Sequence, residues 1–126
     1  MNNLDQVLIN MDFDFLSQGK QALKIEALPK ALQDEHNFFL DVRSSEEMKF
    51  LSFPFAKHIP LNEIPHRLNE IPKDKCIVTF CAAIFRGSVV YTYLSANGFK
   101  EVKCLTASSA DIASALKPGM VAKILK

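Results

Sequence analysis

Thr79-Phe80-Cys81-Ala82-Ala83-Ile84-Phe85-Arg86-Gly87-Ser88 is the stretch around which the chain is organised. The apolar run Cys76-Ile77-Val78-Thr79-Phe80 leads into it. Val89-Val90-Tyr91-Thr92-Tyr93-Leu94, which has helical spacing and is closed by Asn97-Gly98, leads out. The pattern predicts a buried strand, a tight loop and a helix. Cys81 then stands at the strand's end, facing the first turn of the next helix. Unpaired N–H groups there carry partial positive charge and favour an anion. A thiolate is such an anion, so the position favours Cys81 as a nucleophile. Arg86 adds a fixed cation, and Gly87 is expected to let the backbone turn without a Cβ penalty. On this local pattern alone a second reading stays open, that of a small buried hydrophobe, because free cysteine is among the most buried residue types.

Bulk properties bound the rest. A chain of 126 residues is long enough for one domain with its own core. Hydrophobic residues make up 48% and charged residues 23%, an ordinary globular balance. A net charge of +1, from 15 basic and 14 acidic residues, argues against a broad nucleic-acid footprint. Three cysteines without C-x-x-C spacing fit neither a disulfide framework nor a zinc site. No apolar run reaches membrane-spanning length, and Met1-Asn2-Asn3-Leu4-Asp5 lacks the basic start of a signal peptide. The expectation is a cytoplasmic protein, where a thiol stays free for chemistry.

Along the chain, residues 1–20 are the least readable. Val7-Leu8-Ile9 and Phe13-Asp14-Phe15-Leu16 suit a helix, an edge strand or both, and Ser17-Gln18-Gly19-Lys20 reads as a loop. Ile25, Leu28 and Leu32 share a helical face, with Pro29 confining the helix start to about Glu26. Phe38-Phe39-Leu40 reads as a buried strand. At its end Asp41-Val42-Arg43 precedes Ser44-Ser45-Glu46-Glu47, a helix-start signature. Arg43 and Glu47, four apart, are placed to pair. Glu63 to Glu70 is expected as a short polar helix, and Val102-Lys103-Cys104-Leu105 as a strand. Thr106-Ala107-Ser108-Ser109 leads into a helix over Asp111 to Lys117, stopped by Pro118-Gly119. Val121 to Lys126 is a short tail, basic at its end. Strands and helices alternate from residue 38 onward, which argues for a parallel sheet covered on both faces. Ligands bind beyond the carboxyl ends of such strands, where Asp41–Arg43, Cys81–Ser88 and Thr106–Ser109 would converge.

Cysteine, four residues, then arginine, between a strand and a helix, resembles the active-site loop of rhodanese-like sulfurtransferases. Asp41-x-Arg43 with Glu47 four residues on is similar to another recurrent family segment. That likeness implies that Asp41, Arg43 and Glu47 brace the site. Ser52-Phe53-Pro54-Phe55-Ala56-Lys57-His58-Ile59-Pro60-Leu61 resembles the family's His-Ile-Pro-Gly-Ala-x-Asn-Ile-Pro-Leu. Its prolines, alanine and Ile-Pro-Leu match, while Ser52, Phe53, Phe55 and His58 depart, and the missing glycine implies an altered backbone. The resemblance covers roughly residues 22–117. Residues 1–21 are then an N-terminal extension packing on a single domain of 1–126. It implies an α/β fold of about five parallel strands with helices on both faces.

It also implies a function. Cys81 would take sulfur from a donor, a small sulfur-containing anion such as thiosulfate or a protein persulfide, and hold it as a persulfide. Backbone N–H groups of Ala82, Ala83, Ile84, Phe85, Gly87 and Ser88 would line the sulfur site, and Arg86 would hold an anionic donor or steady the loop. A thiol acceptor would complete the cycle. No cofactor, metal, nucleic acid or membrane is implied. Many active relatives carry glycine where Ile84 stands, and polar or basic residues at 82, 83 and 85. Isoleucine resists positive φ, so either the loop follows a different path or it presents an apolar wall.

Two rival readings have their own discriminants. Cysteine-based phosphatases place five residues between cysteine and arginine, whereas four stand between Cys81 and Arg86. A non-enzymatic binding or regulatory module is compatible with the apolar loop. A redox switch would need Cys104 as partner, since Cys76 begins the strand that Cys81 ends and is too far along it. His58, His36 and His66 are read as surface or packing residues.

Overall fold

Strand β4 (Cys76–Phe80) is buried at every residue, and its alternation divides the interior in two. Cys76, Val78 and Phe80 belong to one core, and Ile77 and the following Cys81 to the other. β4 is the centre of a five-stranded parallel sheet in the order β1-β5-β4-β2-β3. The other strands are β1 (Ala22–Leu23), β2 (Asn37–Asp41), β3 (Lys57–His58) and β5 (Val102–Leu105). This computed structural model describes residues 2–117. The stop at Pro118-Gly119 and the tail Val121 to Lys126 lie outside the described residues.

Helices cover both faces. On one, Leu28 and Ala31 of α3 (Leu28–Leu32) and Ile112 of α6 (Ser109–Ala115) meet Phe39, Val78, Phe80 and Leu105. On the other, Val90 and Leu94 of α5 (Phe85–Ala96) meet Leu40, Ile77 and Ile64. The first segment forms two helices rather than an edge strand, α1 (Asn3–Asn10) and α2 (Phe13–Gln18). The side chains of Asn2 and Asp12 each accept an N–H three residues on, which starts the two helices separately. α1 lies against α5, yet neither α1 nor α2 buries a residue fully. Among the described residues no helix is long and apolar enough to cross a membrane.

Two local expectations need correction, and two short strands had no signal. Glu63–Glu70 is two 3-10 turns, Leu61–His66 and Leu68–Glu70, not one helix. Pro65 sits inside the first turn and cannot donate to an α-helical ladder. β1 and β3, two residues each, show no period in the sequence because so short a strand has none to show. Gly87 does not serve a turn, since among the described glycines positive φ occurs at Gly19 and Gly98 only. It lies in the first turn of α5, where an added Cβ would come 3.2 Å from both Phe80 Cα and Cys104 Sγ. Glycine suits the position because the helix start approaches β4 and β5 so closely that an added Cβ would press on Phe80 and Cys104. Thr79, fully buried, fixes that approach by donating from Oγ1 to the Gly87 carbonyl at 2.8 Å.

In an ordinary helix interior Gly→Ala stabilises by roughly 0.5–1 kcal/mol. Gly87→Ala is predicted to do the opposite, losing about 1–3 kcal/mol in urea unfolding, because backbone or a buried sulfur must move. A gain in stability would show that the approach is not tight.

Candidate active site

The loop from Cys81 to Arg86 is built between fixed walls. β4 delivers Cys81, and α5 receives the chain at Ile84, whose apolar side chain offers no cap to the helix. The first intrahelical bond runs from Ser88 N–H to the Ile84 carbonyl at 3.0 Å. The N–H groups of Phe85, Arg86 and Gly87 therefore have no acceptor within the helix. Cys81 supplies one: Gly87 N–H donates to Cys81 Sγ at 3.3 Å. The sulfur thus stands where a capping oxygen ordinarily would, at the positive end of a 12-residue helix. Cys81 is 2% exposed and belongs, with Leu40, Val42, Ile59 and Val90, to the second core.

Ile84 takes φ −135°, and none of the described residues other than glycine has positive φ. The loop accommodates isoleucine by a path that needs no left-handed residue, and its side chains turn outward. Ile84 is 44% exposed and Phe85 76%. The rim of the site is therefore apolar, with Ala82 and Ala83 completing it beside the partly buried Arg86 and Ser88. From the third strand end, Ser109 N–H donates to the Ala82 carbonyl at 2.8 Å. Ser108 caps α6 through Asp111 N–H at 3.0 Å, so the wall holding Ala82 is itself anchored.

The first strand end is held by a buried ion pair. Arg43 Nε and Nη2 donate to the Asp41 carboxylate at 2.7–3.1 Å, and Arg43 N–H adds a bond to Oδ1 at 3.1 Å. The guanidinium also lies 4.8 Å over the Phe53 ring. His58 Nε2 donates to the Arg43 carbonyl at 2.7 Å, which ties β3 to the segment after β2. Arg43 does not pair with Glu47, although four residues separate them, because Asp41 occupies its guanidinium inside the fold. Glu47 turns instead to Arg86, 39 residues away, accepting from Nη1 at 2.6 Å and Nη2 at 3.0 Å. It also closes a capping box on α4 (Ser45–Met48), accepting from the Ser44 N–H and hydroxyl at 2.9 and 2.8 Å.

The charges follow from these contacts. Hydrogen bonds from Arg86 hold the Glu47 carboxyl down at about 2, against partial burial, with Ser44 assisting. The same bonds raise Arg86 above its ordinary value. Burial pushes the thiols of Cys76 and Cys104 up, which disfavours their thiolate forms. Cys76 also points into the opposite core from Cys81. Cys104 pairs in register with Thr79, two residues short of Cys81. That offset sets the Cα atoms of Cys81 and Cys104 roughly 8 Å apart, beyond disulfide reach without backbone movement. Among the described residues no cluster of metal-ligating side chains occurs.

Two contacts had no sequence signal. Thr79 reads as an ordinary strand residue, and nothing marks its bond to Gly87. The Glu47–Arg86 pair spans two segments, and its members show only their own local contexts.

The family model for the Rhodanese-like domain matches residues 24–115. YtwF of Bacillus subtilis, which carries a sulfurtransferase name, is 35% identical over 92 residues, covering 73% of this chain and 84% of that one. A protein of Allochromatium vinosum named sulfurtransferase is 33% identical over 78 residues, 61% of this chain and 73% of that one. The crystal structure of a rhodanese-like domain protein from Staphylococcus aureus superposes with a TM-score of 0.67 at 28% identity, covering 73% of this chain and 90% of that one. The chain belongs to the rhodanese-like domain family, in which these two relatives carry sulfurtransferase names.

Glu47 supplies a pH test. Its folded-state pKa lies below the ordinary 4.5, at about 2, so its contribution is present above the ordinary value and fades as pH falls toward the folded one. The stability difference between wild type and Glu47→Gln is predicted to be constant above about pH 5 and to shrink below it, read by urea unfolding at stepped pH. Parallel curves down to acid unfolding would contradict the pairing.

Proposed function

We propose that this protein carries sulfane sulfur as a persulfide on Cys81 and passes it to a thiol acceptor. The observation that carries the reading is the Gly87 N–H aimed at Cys81 Sγ from the start of α5. In the first step the Cys81 thiolate attacks the outer sulfur of a donor R–S–SH. The S–Sγ bond forms as the donor's S–S bond breaks, and the electron pair leaves on R–S⁻. Cys81 then bears –S–SH or, ionised, –S–S⁻. The free N–H groups at the start of α5 and in the loop would hold that terminal sulfur, as an oxyanion hole holds developing charge. In the second step an acceptor thiolate attacks the outer sulfur, takes it as its own persulfide and returns the Cys81 thiolate. Both steps need a free thiol, so a reducing compartment such as the cytoplasm suits them.

Arg86 enters this reading as a brace. Its two terminal nitrogens already bond the Glu47 carboxylate, which leaves the pair close to neutral. With Ile84 and Phe85 at the rim, an anionic donor gains little and a persulfide donor is favoured over thiosulfate. A second reading, a catalytically inactive binding module, draws on the burial of Cys81 and the exposed apolar rim.

Rates of sulfur transfer separate these. With cysteine persulfide as donor, kcat/KM is predicted to exceed that with thiosulfate by about tenfold or more, the scale of one charge-assisted interaction forgone. Cys81→Ser should abolish transfer from both while leaving the fold intact. Transfer surviving in Cys81→Ser would sink the mechanism. Faster use of thiosulfate would overturn the donor preference. Folded wild type inert to both donors would favour the binding module.

A further inference from the structure

The apolar rim does not end at the loop. Leu4 of α1 and Phe85, Ser88, Val89, Thr92 and Tyr93 of α5 line an open groove of about 420 Å³. Leu4 is 46% exposed and Val89 41%. A second lobe of about 190 Å³ adjoins it past Val89 and Tyr93, walled by Leu61, Ile64 and Pro65. No lining residue of either lobe carries a charge. Such a surface offers an inorganic anion nothing, and large apolar side chains a dry seat.

Its position names the occupant. Phe85 belongs both to the loop that follows Cys81 and to the groove, so the groove opens from the rim of that loop. Phe85, Val89 and Tyr93 follow at four-residue intervals on α5, a ridge running roughly 12 Å away from the loop. That length matches about four residues of extended chain, whose alternate side chains would face the groove.

We infer that this groove docks an extended apolar segment of the protein that exchanges sulfur with Cys81, with bulky side chains two and four residues from the partner's reactive cysteine. The inference rests on the sulfur-carrier reading of Cys81. A second copy of this chain is the competing occupant, and the test separates the two.

Two synthetic peptide persulfides serve as donors, one with leucine and phenylalanine at the second and fourth positions after cysteine, the other with serine at both. Sulfur loading is followed by intact-protein mass. Wild type is predicted to load from the apolar peptide about tenfold faster or more than from the serine peptide, the scale of one buried apolar side chain. Val89→Glu and Leu4→Glu should each erase that preference and leave loading from free cysteine persulfide unchanged. Equal rates for the two peptides in wild type, or an equal loss for cysteine persulfide in both variants, would overturn the docking role. If no donor loads Cys81, the sulfur-carrier reading fails on its own. The groove is then read by fluorescence anisotropy with the apolar peptide carrying serine for cysteine. Saturable binding lost in Val89→Glu supports docking, and no binding refutes it. A wild-type dimer in sedimentation that Val89→Glu dissociates would assign the groove to a second copy and overturn the proposal.

Discussion

The closeness of α5 to β4 at Gly87 is the constraint on which the rest of the structure depends. With a side chain at this position the helix start would be pushed away from Phe80 and Cys104. Its absence lets Thr79 take hold of the Gly87 carbonyl and lets the Gly87 N–H reach Cys81 Sγ. One peptide unit is thereby gripped from both sides, and the positive end of α5 is held against the sulfur. Four residues suffice to bridge strand and helix because the two ends are already so near.

Two ion pairs then tie the strand ends to that centre, in different ways. Asp41–Arg43 is buried, bidentate and stacked on Phe53. Burying both charges costs nearly what their attraction returns, so its role is to fix geometry. Through the Arg43 carbonyl it positions His58 and β3. Glu47–Arg86 lies nearer solvent and joins α4 to the start of α5. It also spends the one cation of the loop on an internal partner. The site thus combines a cysteine, a helix end and an apolar rim with an arginine that is already paired.

Much of the fold was legible because the central elements are long enough to show a period. β2, β4 and α5 carry alternation or helical spacing, and their order implied a parallel sheet. Placing Cys81 before a helix start needed only that order. Pro65 was visible in the sequence, yet the expected helix over residues 63–70 ignored the donor it lacks. β1 and β3 are held by their neighbours rather than by any pattern of their own. The pairing of Glu47 with Arg86, and of Arg43 with Asp41, was misjudged because spacing along a helix ignores partners outside it, here Asp41 at the end of β2 and Arg86 at the start of α5. Gly87 was singled out for the wrong property, backbone freedom rather than the missing side chain. Only the distance to Phe80 and Cys104 distinguishes the two.

The central claim is that sulfur resides on Cys81, and peptide mapping by mass spectrometry tests it most directly. The protein is incubated with cysteine persulfide, freed of donor, alkylated and digested, and the added sulfur is located among Cys76, Cys81 and Cys104. The structure predicts one added sulfur, on Cys81 alone, removable by a thiol. Sulfur on Cys104 or Cys76 instead, or on none of the three, would contradict the claim.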